Sequence, residues 1–262
     1  MMSAYFDTVR PTYIENWSAA LNSLSIAQVD LPLTLEEARV LGLINKEFSK
    51  WFGHASIEAI DKIVKKIDIA LSHFPGGAFV RLGSRSSKDS SYAHNRGLRI
   101  TNGNAAIRML TENSRRTAYD LRLAIHHNYP PHIFVRQWQE IPDWSEFRCF
   151  MKGRKLIGIS QYDCKNLGPS SEIIKNAVLI ETSIRNFFEV IKAASHIDDG
   201  VFDVFVKLNE PTLNGSVKVQ LLEVNPFFQK TDACLFHWGD SDDFDGSFRF
   251  LDSTIGDRPE WH

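Results

Sequence analysis

The sequence predicts an α+β protein in which helices and antiparallel strand pairs alternate. Three observations carry this. Residues 56–73 and 171–195 repeat apolar side chains at helical spacing. Residues 146–152 and 155–161 flank Gly153-Arg154 and read as a β-hairpin. Residues 201–207 and 216–225 read as a second strand pair, joined by a connection that contains Pro211 and Asn214-Gly215.

Residues 1–55 carry short apolar runs punctuated by Pro11 and Pro32, and read as a mixed cap region. Residues 56–73 follow as an amphipathic helix. Ser56 is its expected cap, and Ile60, Ile63, Val64, Ile67, Ala70 and Leu71 form its buried stripe. Lys62, Lys65 and Lys66 fall largely outside that stripe, as a solvated face does. Phe74-Pro75-Gly76-Gly77 ends the helix, Ala78 to Leu82 is a short strand, and Gly83 to Ser91 is a Gly/Ser loop. Two helices near 103–112 and 115–127 precede a strand at His132 to Trp138. The longest helix, 171–195, has Ile173, Ile174, Ala177, Val178, Ile184, Phe187, Phe188 and Ile191 on its apolar face.

Composition excludes several classes. The 262 residues hold 30 Lys plus Arg against 32 Asp plus Glu, a net charge of −2, so there is no basic excess for sequence-independent nucleic-acid binding. No apolar run reaches the roughly 18 residues of a membrane-spanning helix. The start of the chain lacks a charged segment followed by an apolar one, so no secretory signal is expected. Cys149, Cys164 and Cys234 are odd in number and widely spaced. They suit a reducing cytosol better than a disulfide framework or zinc cluster.

Three features bear on chemistry. In the second strand pair, alternation puts Glu223 and Asn225 on one face. A connection centred near residue 212 or 213 places Asp203 opposite residue 221 or 223, on that same face in either register. Two carboxylates and an amide oxygen on one face of otherwise apolar strands suit Mg²⁺ shared with substrate phosphates. The pattern equally fits the solvent face of a half-covered sheet. Second, Arg81 ends a strand that runs into Gly83-Ser84-Arg85-Ser86-Ser87-Lys88, where small residues let backbone N–H groups approach a phosphate. A plain surface loop has the same composition, and the segment is neither a Walker A loop nor a dinucleotide fingerprint. Third, Arg136 and Arg148 lie inside apolar strands, where each requires an anionic partner. That partner is either a phosphate or an internal carboxylate such as Glu146 or Asp163.

Other candidates fail on geometry or pattern. Adjacent His126 and His127 diverge on a helix and cannot share a metal. His237 beside Trp238 reads as an ordinary histidine. Ser241 to Gly246 begins like an EF-hand loop, but position one is Ser and position twelve is Asp252 rather than Glu. No Gly-x-Ser-x-Gly elbow or Cys/His signature supports nucleophilic hydrolysis.

Taken together, three ordered segments resemble the cell division cycle protein 123 family of the ATP-grasp superfamily. Phe79 to Asp89 is similar, without a gap, to the family's Phe-Pro-Lys-Leu-Asn-Trp-Ser-Ala-Pro-Arg-Asp. Val135 to Trp138, Glu146 to Phe150 and Gly158 to Gln161 resemble its Leu-Arg-Lys-Trp, Glu-Phe-Arg-Cys-Phe and Gly-Ile-Ser-Gln. Phe202-Asp203, Glu223 to Pro226 and Leu235 to Trp238 resemble its Phe-Asp, Asp-Phe-Asn-Pro and Leu-Phe-x-Trp.

The resemblance implies a two-lobed ATP-grasp fold with nucleotide between the lobes. The first lobe would span 56–131 and the second 132–262, preceded by the cap at 1–55. It implies that Arg81, Gly83 and Arg85 approach the phosphates, and that Val135, Arg136, Gln137 and Trp138 line the nucleotide pocket. Arg148 would also approach the phosphates, and Asp203, Glu223 and Asn225 would hold Mg²⁺. The near-zero net charge would then conceal a segregation, with arginines toward phosphates and carboxylates toward metal. The implied function is that of a cytoplasmic, monomeric Mg-ATP-binding assembly factor for translation initiation factor 2, bound through its γ subunit. The alternative is an ATP-grasp ligase that passes an acylphosphate to an amine or thiol. A third possibility is a nucleotide-binding remnant without chemistry. Departures from the pattern are Arg81 for Lys, Gly83-Ser84-Arg85 for Asn-Trp-Ser, Tyr162 where Arg is frequent, and Glu223 for Asp.

Overall fold

In the computed structural model, which describes residues 2–49, 57–212, 215–239 and 243–252, the helix at 57–71 buries the stripe its spacing predicts, whereas on the helix at 171–194 Ile174 and Val178 of the expected apolar face are exposed. The helices are α1 (Met2–Val9), α2 (Ala19–Ser23), α3 (Leu35–Ile44), α4 (Lys46–Ser49), α5 (Ile57–Leu71), α6 (Ser91–Arg96), α7 (Gly103–Thr111), α8 (Arg115–His126) and α9 (Ser171–Ala194). The strands are β1 (Gln28–Pro32), β2 (Ala78–Leu82), β3 (His132–Gln137), β4 (Glu146–Lys152), β5 (Lys155–Gln161), β6 (Gly200–Pro211), β7 (Val217–Pro226) and β8 (Phe248–Arg249). The chain divides into two compact units. One comprises Met1–Asn16 and Ile26–Gln139, the other Trp17–Ser25 and Glu140–His262.

The first unit is built on an antiparallel sheet of order β1-β3-β2. Its register aligns Val29, Val135 and Val80, and aligns Leu31, Ile133 and Leu82. Side chains alternate along a strand, so these residues share one face. That face closes a core with Ala38 and Leu41 of α3, Ile63, Val64 and Ile67 of α5, Ala106 and Leu110 of α7, and Leu121 of α8. Each fully buried aliphatic chain contributes about 1.5–3 kcal/mol against exposure. The expected stripe on α5 is the face that is buried, while Lys62 and Lys65 are exposed and Lys66 pairs with Glu37 at 2.5 Å. The expected cap, Ser56, lies outside the described residues. Asn102 and Ser114 cap α7 and α8 by accepting from Ala105 and Thr117. The loop expected over 83–91 ends sooner, because Ser90 accepts from Ala93 N and starts α6.

The expected boundaries differ from this division. Strand β3, expected to open the second lobe, is the central strand of the first unit, hydrogen-bonded to β1 on one side and β2 on the other. The region 1–55 is not a separate cap. Residues 28–32 add the sheet's third strand, α3 lays Ala38 and Leu41 on the core, and residues 17–25 pack with the second unit. Within that second unit Ser18 Oγ donates to Ala194 O at 2.6 Å and Leu221 N donates to Leu24 O at 3.0 Å. Periodicity identifies strands but not their partners, and here both partners of β3, β1 and β2, are distant in the chain.

The second unit holds a five-stranded sheet of order β7-β6-β4-β5-β8, antiparallel except for the β5–β8 pair. One face, with Cys149, Phe202, Val224 and Ile159, packs against α9, where Phe188 meets Phe202 edge-on at 6.0 Å. The other face is covered at one end by an aromatic cluster of Phe150, Phe236, Phe244 and Trp238. Gly158 makes this cover possible, since a Cβ there would stand 2.7 Å from the Phe236 ring. Among the described residues no helix is long and apolar enough to cross a membrane.

Candidate functional site

In the second unit the register lines up charged residues across the sheet. Glu223 pairs with Asp203, Asp203 with Arg148, Arg148 with Ser160, and Ser160 with Arg249. Of the two registers open from sequence, the structure adopts the one that places Asp203 opposite Glu223. A bulge between Asp203 and Val204 follows directly. Asn225 lies on the same face and donates through Nδ2 to Asp203 Oδ2 at 3.0 Å.

Arg148 takes the second alternative left open by the sequence, an internal carboxylate, but neither of the two named there. Its Nε donates to Asp203 Oδ1 at 2.7 Å and its Nη2 to Asp203 Oδ2 at 2.8 Å, and its Nη1 donates to the Asp232 carbonyl at 2.8 Å. Both side chains are almost fully buried. Burial alone disfavours the Arg148 charge, but the adjoining Asp203 carboxylate more than offsets this and raises its pKa. The Arg148 guanidinium also lies 4.8 Å from the Tyr162 ring centroid, so the family departure at Tyr162 supplies a stacking face. Burial and the neighbouring Asp203 push the Tyr162 hydroxyl's pKa up.

Two carboxylates and one amide are hard oxygen donors of the kind Mg²⁺ takes. Three such groups leave an octahedral shell incomplete. Among the described residues no cluster of three or more His, Cys, Asp or Glu side chains forms a self-sufficient metal cage. The donor oxygens are of the kind such a cation takes together with phosphate oxygens and water, while both Asp203 oxygens accept from Arg148 in this structure.

In the first unit, Phe79, Arg81, Phe134 and Arg136 share the sheet face opposite the core. Arg81 and Arg136 are both buried, and Arg81 Nε donates to Leu82 O at 2.9 Å. Gly83 is packed tightly: its N donates to His132 O, its O accepts from Ile14 N, and a Cβ would collide with the Glu15 carboxylate. Burial raises the pKa of that Glu15 carboxyl, which accepts from the Tyr129 hydroxyl at 3.0 Å. Val135 is fully buried in the core. Gln137 is exposed and Trp138 partly buried, and their backbone N–H groups donate to Ala27 O and Gly77 O.

Arg85, expected toward phosphates, is paired within its own unit. Its Nε donates to Asp120 Oδ2 at 3.0 Å, its Nη2 bonds Asp120 Oδ1, and Ser84 Oγ donates to Asp120 Oδ2 at 2.7 Å. Of the arginines expected toward phosphates, Arg85 pairs with Asp120 and Arg148 with Asp203 in this structure. Sequence reasoning also missed Asp232. Nothing in its spacing marks it, yet its carbonyl accepts from Arg148 and its carboxylate pairs with Lys165 at 2.5 Å.

The D123 family profile matches residues 45–254. A Xenopus laevis protein named translation initiation factor eIF2 assembly protein is 30% identical over 183 residues, covering 66% of this chain and 51% of that one. One of the same name from Candida albicans is 25% identical over 189 residues, covering 67% and 52%. The chain spans about half the length of these curated relatives. The structure of Cdc123 from Schizosaccharomyces pombe superposes with a TM-score of 0.71 at 20% identity, covering 88% of this chain and 90% of that one. The fold is thus the α+β fold of that Cdc123 structure. With the profile spanning most of its length, this chain belongs to the D123 family.

Proposed function

We propose that this protein is an eIF2 assembly factor that binds Mg-ATP and contacts the γ subunit of its target as a cytoplasmic monomer. The role in eIF2 assembly is supported by the names of its relatives. The nucleotide reading is supported above all by one observation: Glu223, Asp203, Arg148 and Asn225 lie together on one face of the second unit's sheet. Asp203, Glu223 and Asn225 are the residues that would hold Mg²⁺, and the metal would supply countercharge to phosphate oxygens. Arg148 on the same face would take a share of the same negative charge. Bound nucleotide would order the chain for its partner without a chemical step being required.

The test is Mg-dependent ATP binding by calorimetry. Glu223→Gln combined with Asn225→Ala leaves the Arg148–Asp203 pair in place and should weaken binding about tenfold or more. Binding in excess EDTA should be the same for variant and wild type. Unchanged Mg-dependent affinity would sink the metal assignment. Capture of the eIF2 γ subunit, with and without Mg-ATP, tests the partner, and failure under both conditions rejects it.

A further inference from the structure

We propose that Asn102-Gly103 is a latent modification site, where ammonia is lost and aspartate or isoaspartate forms once Asp68 releases the Gly103 backbone. Asparagine before glycine is the dipeptide in which a backbone nitrogen most easily attacks a side-chain amide, because glycine puts no Cβ in the way. Here the fold imposes both residues. Asn102 is the cap of α7, and its Oδ1 accepts from Ala105 N at 2.9 Å. Gly103 sits where α7 lies against α5, and a Cβ there would stand 2.6 Å from Val64 O. The caps of α3, α6 and α8 are Thr34, Ser90 and Ser114, which have no amide to lose.

The same contacts hold the reaction off. Gly103 N, the nucleophile, donates to Asp68 Oδ1 of α5 at 2.6 Å. The Asn102 backbone is extended, with φ of −152° and ψ of 158°, and its carboxamide oxygen is held by Ala105. Two residues earlier, Ile100 and Ala78 exchange both backbone hydrogen bonds, at 2.7 and 2.8 Å, which fixes the approach to the cap. Gly103 is buried while Asn102 is exposed, so water reaches the amide but the attacking nitrogen does not. When α7 lifts from α5, the Gly103 nitrogen bonds to Asn102 Cγ and gives up its proton. The Cγ–Nδ2 bond breaks, and ammonia leaves with that proton. Water then opens the cyclic imide at either carbonyl, giving aspartate or isoaspartate, and no oxidant or cofactor takes part. Aspartate would keep the cap and add negative charge at the N-terminus of α7, where it is favourable. Isoaspartate would route the main chain through one extra carbon and move Gly103 off Val64.

The site is read by peptide mapping of the full chain after incubation in mildly alkaline buffer. The other Asn-Gly of the chain, Asn214-Gly215, is the internal reference. In native wild type the Asn102 peptide should stay intact. In urea-unfolded wild type it should acquire the mass of an acid in place of an amide and split into aspartate and isoaspartate forms. Asp68→Ala should deamidate Asn102 about tenfold faster or more than native wild type, the fold-change of a hydrogen bond to a charged group, with the rate at Asn214 unchanged. Asp68→Asn keeps a weaker, neutral acceptor and should fall between the two. The proposal is overturned if Asn102 reacts as fast in the native chain as in the unfolded one, if neither Asp68 variant differs from wild type, or if Asn102 and Asn214 accelerate together. Should Asp68→Ala fail to fold, Asp68→Asn decides, and a rate equal to wild type rejects the role of Asp68. None of these readouts depends on nucleotide or on a partner.

Discussion

The two arginine–carboxylate pairs are chemically alike and physically different. Arg85 and Asp120 join a loop to α8, with the arginine side chain 38% exposed. Arg148 and Asp203 join adjacent strands inside a sheet, with both side chains no more than 6% exposed. In the first pair solvent screens the attraction and helps solvate the arginine. In the second, each charge depends chiefly on the other, because both are taken out of water. A buried pair of this kind is poor evidence of stability.

This difference can be broken in order of expected effect. Asp203→Ala strands Arg148 and should cost about 3–5 kcal/mol in urea denaturation. Arg148→Met combined with Asp203→Leu should recover most of that loss, since the cost lies in the orphaned charge. No recovery would mean that the pair stabilises the sheet in its own right. Gly158→Ala, which drives a methyl into the Phe236 ring at 2.7 Å, should cost about 1–3 kcal/mol by the same measurement. Gly83→Ala in the first unit should cost less, because its nearest obstacle is the end of the Glu15 side chain. Arg85→Ala should cost about 1 kcal/mol, moderated by its exposure and by the Ser84 hydrogen bond that Asp120 keeps.

The smallest effect is a pH dependence in the first unit. The hydrogen bond that His132 Nδ1 donates to Asp30 Oδ1, at 2.6 Å, raises the His132 pKa above 6.5, against partial burial. A raised histidine stabilises the fold fully below its unfolded pKa of about 6.5, and that stability fades as pH rises through the folded value. Denaturation midpoints of wild type should therefore fall above about pH 6.5 relative to Asp30→Asn, by well under ~1 kcal/mol. Parallel curves for the two proteins would show that the His132–Asp30 contact carries no charge.

What was legible in the sequence followed from local period. The stripe of Ile63, Val64 and Ile67, the hairpin around Gly153-Arg154, and the alternation of Glu223 and Asn225 each depend only on neighbours a few residues away. So does the common facing of Asp203 and Glu223, because either admissible register gives it. The N-terminal region resisted, since β1 is five residues long and alternates only half-buried and exposed positions. Its strand character is conferred by β3, more than a hundred residues downstream.

The sequence by itself determined the element types, the apolar faces and the requirement that each buried arginine find an anion. Tertiary structure alone decided which anion: Asp203 for Arg148, neither Glu146 nor Asp163, and Asp120 for Arg85. It alone put β3 in the first unit's sheet rather than the second's. The physical reason is the same in each case. A period of 2 or 3.6 residues is set by the local backbone, whereas pairing across a sheet or between a loop and a helix is settled by burial and desolvation in the whole folded chain.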